Sequence, residues 1–251
     1  MNENTADKIE RLDVCIAKKL NVSRTIAVDI IEKGYVKVDG KALLKAGVKV
    51  KQTSEILIED GYSTFVSRGG TKLAAALREF NIDLTGLLCM DVGASTGGFT
   101  DCMLKNGAKT VYAVDVGTGQ LKGEIRNNPA VISMENTDIR DLVSDILPQM
   151  EFVCVDLSFI SLNKVLNNIY ALMADGAPAV LLVKPQFEAG PNAVNKKGII
   201  KSERLQQKIL ADLYNYTNNI GFYSGPHIES PIKGGSGNKE FLMKVQKRRN
   251  S

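Results

Sequence analysis

Residues 87–101, Leu-Leu-Cys-Met-Asp-Val-Gly-Ala-Ser-Thr-Gly-Gly-Phe-Thr-Asp, decide the fold. The short apolar run Leu87 to Met90, bounded by turn residues, reads as a buried strand. Asp91 and the turn Gly93-Ala94-Ser95-Thr96-Gly97-Gly98 follow, and a helix is expected from Phe99 to near Gly107. Strand, glycine turn and helix make the first unit of a nucleotide-binding α/β domain, because glycines let the backbone approach a ligand closely. A phosphate loop would need Lys-Ser/Thr after its last glycine, but Phe99-Thr100 follows Gly98. A dinucleotide fingerprint would need glycine where Ser95 stands. The acid Asp91, with no lysine in the turn, suits a cationic or neutral nucleoside better than a polyphosphate, and S-adenosylmethionine is such a ligand. The other reading is a tight strand-to-helix turn that binds nothing.

Outward from this stretch, strands alternate with helices. Val111 to Val116 carries Asp115, 22 residues beyond Gly93, where an acid commonly binds ribose hydroxyls. Strand Val131 to Met134 precedes Thr137-Asp138-Ile139, and Asp138 could accept from an adenine amine. Strand Phe152 to Val155 ends at Asp156, and a helix spans Leu162 to Ala174. Strand Ala179 to Val183 ends at Lys184-Pro185. A long helix, Glu203 to Asn219, precedes Phe222-Tyr223 and a final strand, Phe241 to Val245. Such alternation predicts a mainly parallel sheet with ligands at the carboxyl ends of its strands. Gly93, Asp115, Asp138, Asp156 and Lys184 all fall at those ends. The segment Glu188 to Lys201 reads as a lid, an RNA contact or a solvated loop on the same edge, and the tail Lys244 to Arg249 as basic and frayed.

The N-terminal quarter has a different character. Ile9, Leu12, Ile16 and Leu20 have helical spacing, and Asn21-Val22 breaks it. Ser23 is a candidate N-cap for a helix from Arg24 to Lys33 that stops at Gly34. Tyr35 to Val38 alternates like a strand, Asp39-Gly40 is a hairpin signal, and Glu55 to Glu59 is a last strand. Lys18 to Ser54 holds nine basic residues against three acidic ones, an excess larger than the net +4 of all 251 residues. That clustering is the footprint of a polyanion partner, or else a solvated lysine face. Gly61 to Ser67 reads as a linker, and Arg68-Gly69-Gly70-Thr71-Lys72 opens a helix from Leu73 to Phe80.

The totals exclude several classes. With 44% hydrophobic and 24% charged residues the composition is that of an ordinary globular protein. No apolar run approaches the ~20 residues of a membrane helix, and the polar N-terminus resembles no secretory signal, so a cytoplasmic protein without membrane contact is expected. Cys15, Cys89, Cys102 and Cys154 lack C-x-x-C spacing and read as reduced, buried thiols. His227 is the only histidine, which leaves a zinc site or a Ser-His triad without support and predicts no metal. The sequence sets no oligomeric state.

Lys72, Asp156, Lys184 and Glu240 form the candidate catalytic set. Transfer to a ribose hydroxyl asks a very weak acid to lose its proton as it attacks, and a lysine can act as base or hydroxyl orienter. Two surface ion pairs are the alternative.

Two resemblances sharpen these readings. Ile9 to Asp60, through Arg11-Leu12-Asp13, Ser23-Arg24 and the Gly34 to Gly40 run, resembles the S-four-type RNA-binding domain. The resemblance implies that Arg11, Lys18, Ser23, Arg24 and Lys37, with Arg68 beyond them, face structured RNA. VSRGGTKL, DVGASTGGFTD, AVDVGTGQL, VDLSFISL, LVKPQFE and Gly234 to Glu240 resemble the FtsJ-like ribose methyltransferases, whose catalytic tetrad is Lys-Asp-Lys-Glu. The two domains in this order are similar to the TlyA family. The implied architecture is an α/β, Rossmann-like class I methyltransferase at 68–251, an α+β RNA-binding domain at 1–60 and a linker at 61–67. The implied activity is S-adenosylmethionine-dependent 2′-O-methylation of cytidine in ribosomal RNA, free or in ribosomal subunits. It places Asp91, Gly93 to Phe99, Asp115, Asp138 and Ile139 around the cofactor. Family members often carry Arg and Trp in the linker, where this chain has Ser63 and Phe65. An RNA-binding ribosome factor without methyl transfer, a haemolysin and an NAD-dependent oxidoreductase are the competing classes.

Overall fold

A computed structural model describes residues 9–20, 23–58, 65–190, 193–195 and 197–249. The chain divides into two units, Met1–Thr64 and Phe65–Ser251.

The first unit comprises β1 (Ile9–Arg11), α1 (Leu12–Leu20), α2 (Arg24–Glu32), β2 (Val36–Val38), β3 (Lys41–Ala42), β4 (Lys49–Lys51) and β5 (Ile56–Ile58). Leu12, Ile16, Ala27, Ile30 and Ile31 bury one face of each helix against Val36, Val38 and Val50. Asp39 and Gly40 both have positive φ, 49° and 77°, and Val38 pairs with Lys41 across them, so the two-residue hairpin forms as its Asp-Gly signal requires. The helix expected from Ile9 begins only at Leu12. Ile9 to Arg11 instead pair antiparallel with Lys49 to Lys51, a partner too distant in the chain for local periodicity to reveal. Asn21-Val22, Glu59 and most of the expected linker, residues 61–64, lie outside the described residues.

The second unit carries α3 (Gly69–Glu79), β6 (Leu88–Val92), α4 (Gly98–Lys105), β7 (Thr110–Val114), α5 (Gly123–Arg126), β8 (Val131–Met134), β9 (Phe152–Val155), α6 (Leu166–Leu172), β10 (Pro178–Val183), α7 (Pro185–Glu188), α8 (Glu203–Asn219), β11 (Phe222–Glu229) and β12 (Phe241–Lys247). The seven strands lie in the order β11-β12-β10-β9-β6-β7-β8. Every neighbouring pair from β10 to β8 is parallel, and β12 is antiparallel to both β10 and β11. Apolar side chains cover both faces: Leu73, Leu77, Phe99 and Phe152 on one, Leu166, Ile169, Leu210 and Leu213 on the other. That double burial is why the central strands read as continuous apolar runs.

Several boundaries differ from expectation. Asp91 lies inside β6 rather than after it. Helix α3 starts at Gly69, so Lys72 sits in its first turn; a Cβ at Gly70 would collide with the Phe65 ring. The expected helix from Leu162 splits into a 3-10 turn, Leu162–Lys164, and α6, because the Glu188 carboxylate accepts from Leu162 N at 3.0 Å and Ser161 Oγ at 2.6 Å. Phe222-Tyr223 begin a full eight-residue strand. The tail is not frayed through Lys247: that side chain is buried, and its Nζ donates to Met173 O at 2.7 Å.

Candidate active site

Strand register brings the site together. In the parallel pair β6–β9, Val92 faces Val155, so Gly93 and Asp156 emerge side by side. A Cβ at Gly93 would strike the Asp156 carbonyl oxygen, and Gly93 has φ 87°, so both space and backbone demand glycine. In the antiparallel pair β10–β12, Val183 faces Phe241. Lys184, which follows β10, and Glu240, which precedes β12, therefore meet at the same edge. Two polar residues 56 positions apart share that edge because β12 runs backwards.

A cavity of about 250 Å³ opens there, walled by Gly93 to Thr96, Gly98 and Phe99, by Ser67 to Gly69 and Lys72, by Asp156, and by Ile232, Lys233 and Gly235. Gly97 caps α4 with φ 93°. Asp115 holds the turn from outside: its carboxylate accepts from Ser95 N and Gly117 N, each at 2.7 Å.

The four ionisable residues pair in a definite way. Lys72 Nζ donates to Glu240 Oε2 at 2.6 Å, with both side chains nearly buried. Lys184 Nζ lies 2.5 Å from Asp156 Oδ1 and donates to Ser158 Oγ at 2.8 Å. Asp156 Oδ1 is buried, and the Lys184 ammonium is the group that offsets its charge. Charged groups withdrawn from water persist only when paired. The arrangement is two cation–carboxylate pairs rather than a ring of four.

Below the glycine turn, Asp91 is fully buried and does not reach the cavity. It accepts from Thr100 Oγ1 at 2.6 Å and from the Cys154 thiol at 3.6 Å. Burial pushes its carboxyl up to about 7, the Thr100 bond working against the rise and the Asp156 charge adding to it. Burial likewise raises the thiols of Cys89, Cys102 and Cys154. All four cysteines are free.

The remaining expected cofactor residues stand apart from the cavity wall. Asp138 caps the short helix after it, and its carboxylate is engaged by Arg140 Nε at 3.0 Å and by Arg140 N at 2.9 Å. Ile139 is buried in the apolar core beside Leu142 and Val114. Composition and spacing did not single out Ser158, Ser67, Ile232, Lys233 or Asn238; the glycine-rich run before β12 was the only local sign of the last three.

In the first unit, Arg11 and Arg24 converge on the buried Asp13. Arg11 donates through Nε at 3.1 Å and Nη2 at 3.0 Å, and Arg24 through Nε at 2.9 Å. The Arg11 guanidinium, helped by Arg24, holds the Asp13 carboxyl down at about 2 despite its burial. Lys18 pairs with Glu10. Ser23 is exposed just ahead of α2, Lys37 is the middle residue of β2, and Arg68 lies on the cavity wall of the second unit. Ser63 lies outside the described residues; Phe65 packs beside Leu73 and Phe99, with the Lys105 ammonium 5.4 Å from its ring centre. No helix among the described residues is long and apolar enough to cross a membrane.

Comparison with known proteins covers both units. Residues 65–247 match the FtsJ-like methyltransferase family, and residues 10–56 match the S4 domain. Hemolysin A of Brachyspira hyodysenteriae is 41% identical over 224 residues, which cover 88% of this chain and 92% of that protein. The 16S/23S rRNA (cytidine-2′-O)-methyltransferase TlyA of Mycobacterium tuberculosis is 37% identical over 236 residues, 93% of this chain and 88% of that one. A solved structure from Streptococcus thermophilus, provisionally described as a hemolysin, is 40% identical with a TM-score of 0.74 and covers 97% of this chain and 90% of its own. With its S4 domain ahead of a seven-stranded methyltransferase sheet, the chain belongs to the FtsJ-like methyltransferases, in the family of TlyA and hemolysin A.

Proposed function

We propose that this chain transfers a methyl group from S-adenosylmethionine to the 2′-hydroxyl of cytidine in ribosomal RNA. The observation that carries the proposal is the Lys184–Asp156 pair standing at the rim of a glycine-walled cavity, with the Lys72–Glu240 pair beside it. The residues fit the donor: a Cβ-free turn admits the backbone close to a nucleoside, and the carboxylate of Asp156 faces the space a sulfonium would share.

The bound donor supplies an electrophilic methyl on a positively charged sulfur. The chain's own residues hold the sugar oxygen. An ammonium has three donors; Lys184 directs one at Ser158 and one side at Asp156, which leaves an N–H for the ribose oxygen. The Asp156 carboxylate lines the cavity, and through the oxygen that does not face Lys184 it is the acceptor for the hydroxyl proton that leaves as the oxygen–carbon bond forms and the sulfur–carbon bond breaks. Lys72 and Glu240 add a neutral, rigid wall, so the chemistry relies on alignment; orientation of this kind contributes roughly 7–11 kcal/mol in favourable cases.

The basic first unit serves as the RNA-docking domain and 68–251 as the catalytic one, joined by 61–67. Shape and phosphate contacts dominate recognition of folded RNA, which fits lysines spread over several short elements. Asp115, which holds Ser95 N, supports the turn at the donor's nucleoside end in this reading, whereas Asp138 and Ile139 contribute from behind the cavity wall, and a protein that acts on ribosomal RNA works in the cytoplasm.

The test is direct. Purified protein, methyl-labelled donor and unmodified 30S and 50S subunits are combined, and the RNA is mapped by mass spectrometry. A 2′-O-methylcytidine absent from the control supports the reading. Label on a base, or RNA binding with no transfer, overturns it.

A further inference from the structure

Asn238 is 2% exposed, yet it carries no charge and belongs to no apolar cluster. Its amide spans two loops. Oδ1 accepts from Ile200 N at 3.0 Å, and Nδ2 donates to Gly198 O at 2.8 Å. Its own backbone carbonyl accepts from Gly234 N at 3.0 Å, and Gly237 N donates to Gly234 O at 2.8 Å, with Gly237 at φ 86°. Residues 234–238 are thereby folded into one tight turn.

That turn wraps the Glu240 carboxylate. A Cβ at Gly234 would collide with Glu240 Oε1, and Ser230 N donates to Glu240 O at 2.8 Å, closing the base of the loop. The same loop supplies Ile232, Lys233 and Gly235 to the cavity wall. On the far side of the amide, Ile200 O accepts from Gln206 Nε2 at 3.1 Å, and Ser202 Oγ caps α8. The segment 198–202 is therefore tied to a 17-residue helix packed on the sheet. Among the described residues, this loop region also reaches α8 through the surface contact of Lys239 with Glu203 at 3.9 Å, which holds little.

A buried amide is costly unless its groups are bonded, and an apolar side chain could fill the same volume. What the amide adds is register: two hydrogen bonds of fixed direction, one in each sense. We infer that Asn238 is a positioning residue for methyl transfer, locking the Glu240 turn to the α8 anchor so that Glu240 meets Lys72 and the cavity wall keeps its shape. The inference rests on the methyl-transfer reading, and its test separates the two.

Asn238→Ala and Asn238→Ser are compared with Gln206→Ala, which frees Ile200 from α8 but leaves the amide bridge, and with Glu240→Gln. Amide hydrogen exchange is read first, since it needs no activity. Asn238→Ala raises exchange about tenfold or more in both 198–202 and 230–240, whereas Gln206→Ala raises it only in the former. Exchange rising in 198–202 alone for Asn238→Ala overturns the inference. Single-turnover transfer at saturating donor is read second. Asn238→Ala slows it about thirtyfold or more with donor affinity held within about threefold, because misplacement near 1 Å costs on this order. The double variant with Glu240→Gln is then no slower than Glu240→Gln alone; multiplied losses overturn the inference. Asn238→Ser repeats each comparison where alanine yields no folded protein. An inactive wild-type chain defeats the methyl-transfer reading, while the exchange experiment still decides the latch.

Discussion

Lys72 donates to Glu240 at 2.6 Å across 168 residues of chain, and neither side chain is more than about a tenth exposed. Breaking a buried pair from one side leaves the partner's charge uncompensated, at roughly 3–5 kcal/mol. Glu240→Ala therefore lowers the unfolding free energy of the second unit by about that amount, and Lys72→Met with Glu240→Leu recovers most of it without restoring transfer. Denaturant unfolding of the single and double variants checks this; equal stability of Glu240→Ala and wild type would refute it.

Lys184 has two partners of different kinds. Lys184→Ala removes the donor to the sugar oxygen and lowers transfer by about 10²–10⁴-fold, while donor affinity by equilibrium titration changes by less than about threefold. Ser158→Ala leaves the ion pair and frees only the ammonium's orientation, so the loss is near tenfold. A Ser158→Ala enzyme slower than Lys184→Ala would reverse the order of importance argued for the two.

Gly93→Ala forces φ 87° on a residue with a Cβ, costing about 1–2 kcal/mol, and pushes that carbon into the Asp156 carbonyl. Donor affinity falls at least about tenfold, and transfer falls with it. Gly119→Ala, also at positive φ but with open space around it, strains the backbone without that collision and keeps most of the affinity. Titration of the two variants side by side separates strain from steric loss.

The Asp91 carboxyl, raised from 3.8 to about 7 in the folded chain, makes stability depend on pH. The folded state binds the extra proton between these values. The stabilising effect is complete below about pH 4 and is lost as pH rises through 7, with a slope of at most about 1.4 kcal/mol per unit. Asp91→Asn keeps an acceptor for Thr100 but cannot ionise, so its stability relative to wild type grows from pH 4 to 7 and then levels. A difference independent of pH over that range would contradict the burial argument.

The first unit titrates in the opposite sense. Asp13 is held down at about 2, so its contribution is present above about pH 4 and is lost as pH falls through 2. Arg11→Ala moves that loss to higher pH and also destabilises the unit, because Asp13 keeps only Arg24. Weakened RNA binding in Arg11→Ala therefore counts as a lost phosphate contact only if the salt slope drops by about one while the fold persists. Circular dichroism against pH, beside binding at several salt concentrations, tells the two apart.

The sequence by itself determined the strand–turn–helix at 88–105, the Asp39-Gly40 hairpin, helix α8 and the placing of Gly93, Asp115, Asp156 and Lys184 after parallel strands. These are local patterns: apolar runs, glycine where φ is positive, and the period of a buried helix face. Who faces whom was decided only by the tertiary structure. Nothing near Ile9 announces its pairing with Lys51, nothing near Asp138 says Arg140 already occupies it, and the Asn238 bridge joins loops 40 residues apart. Above all, Glu240 reaches the edge that carries Lys184 and Asp156 because β12 runs antiparallel to β10. Strand direction is chosen by hydrogen bonding between distant segments, and a one-dimensional pattern holds no record of it.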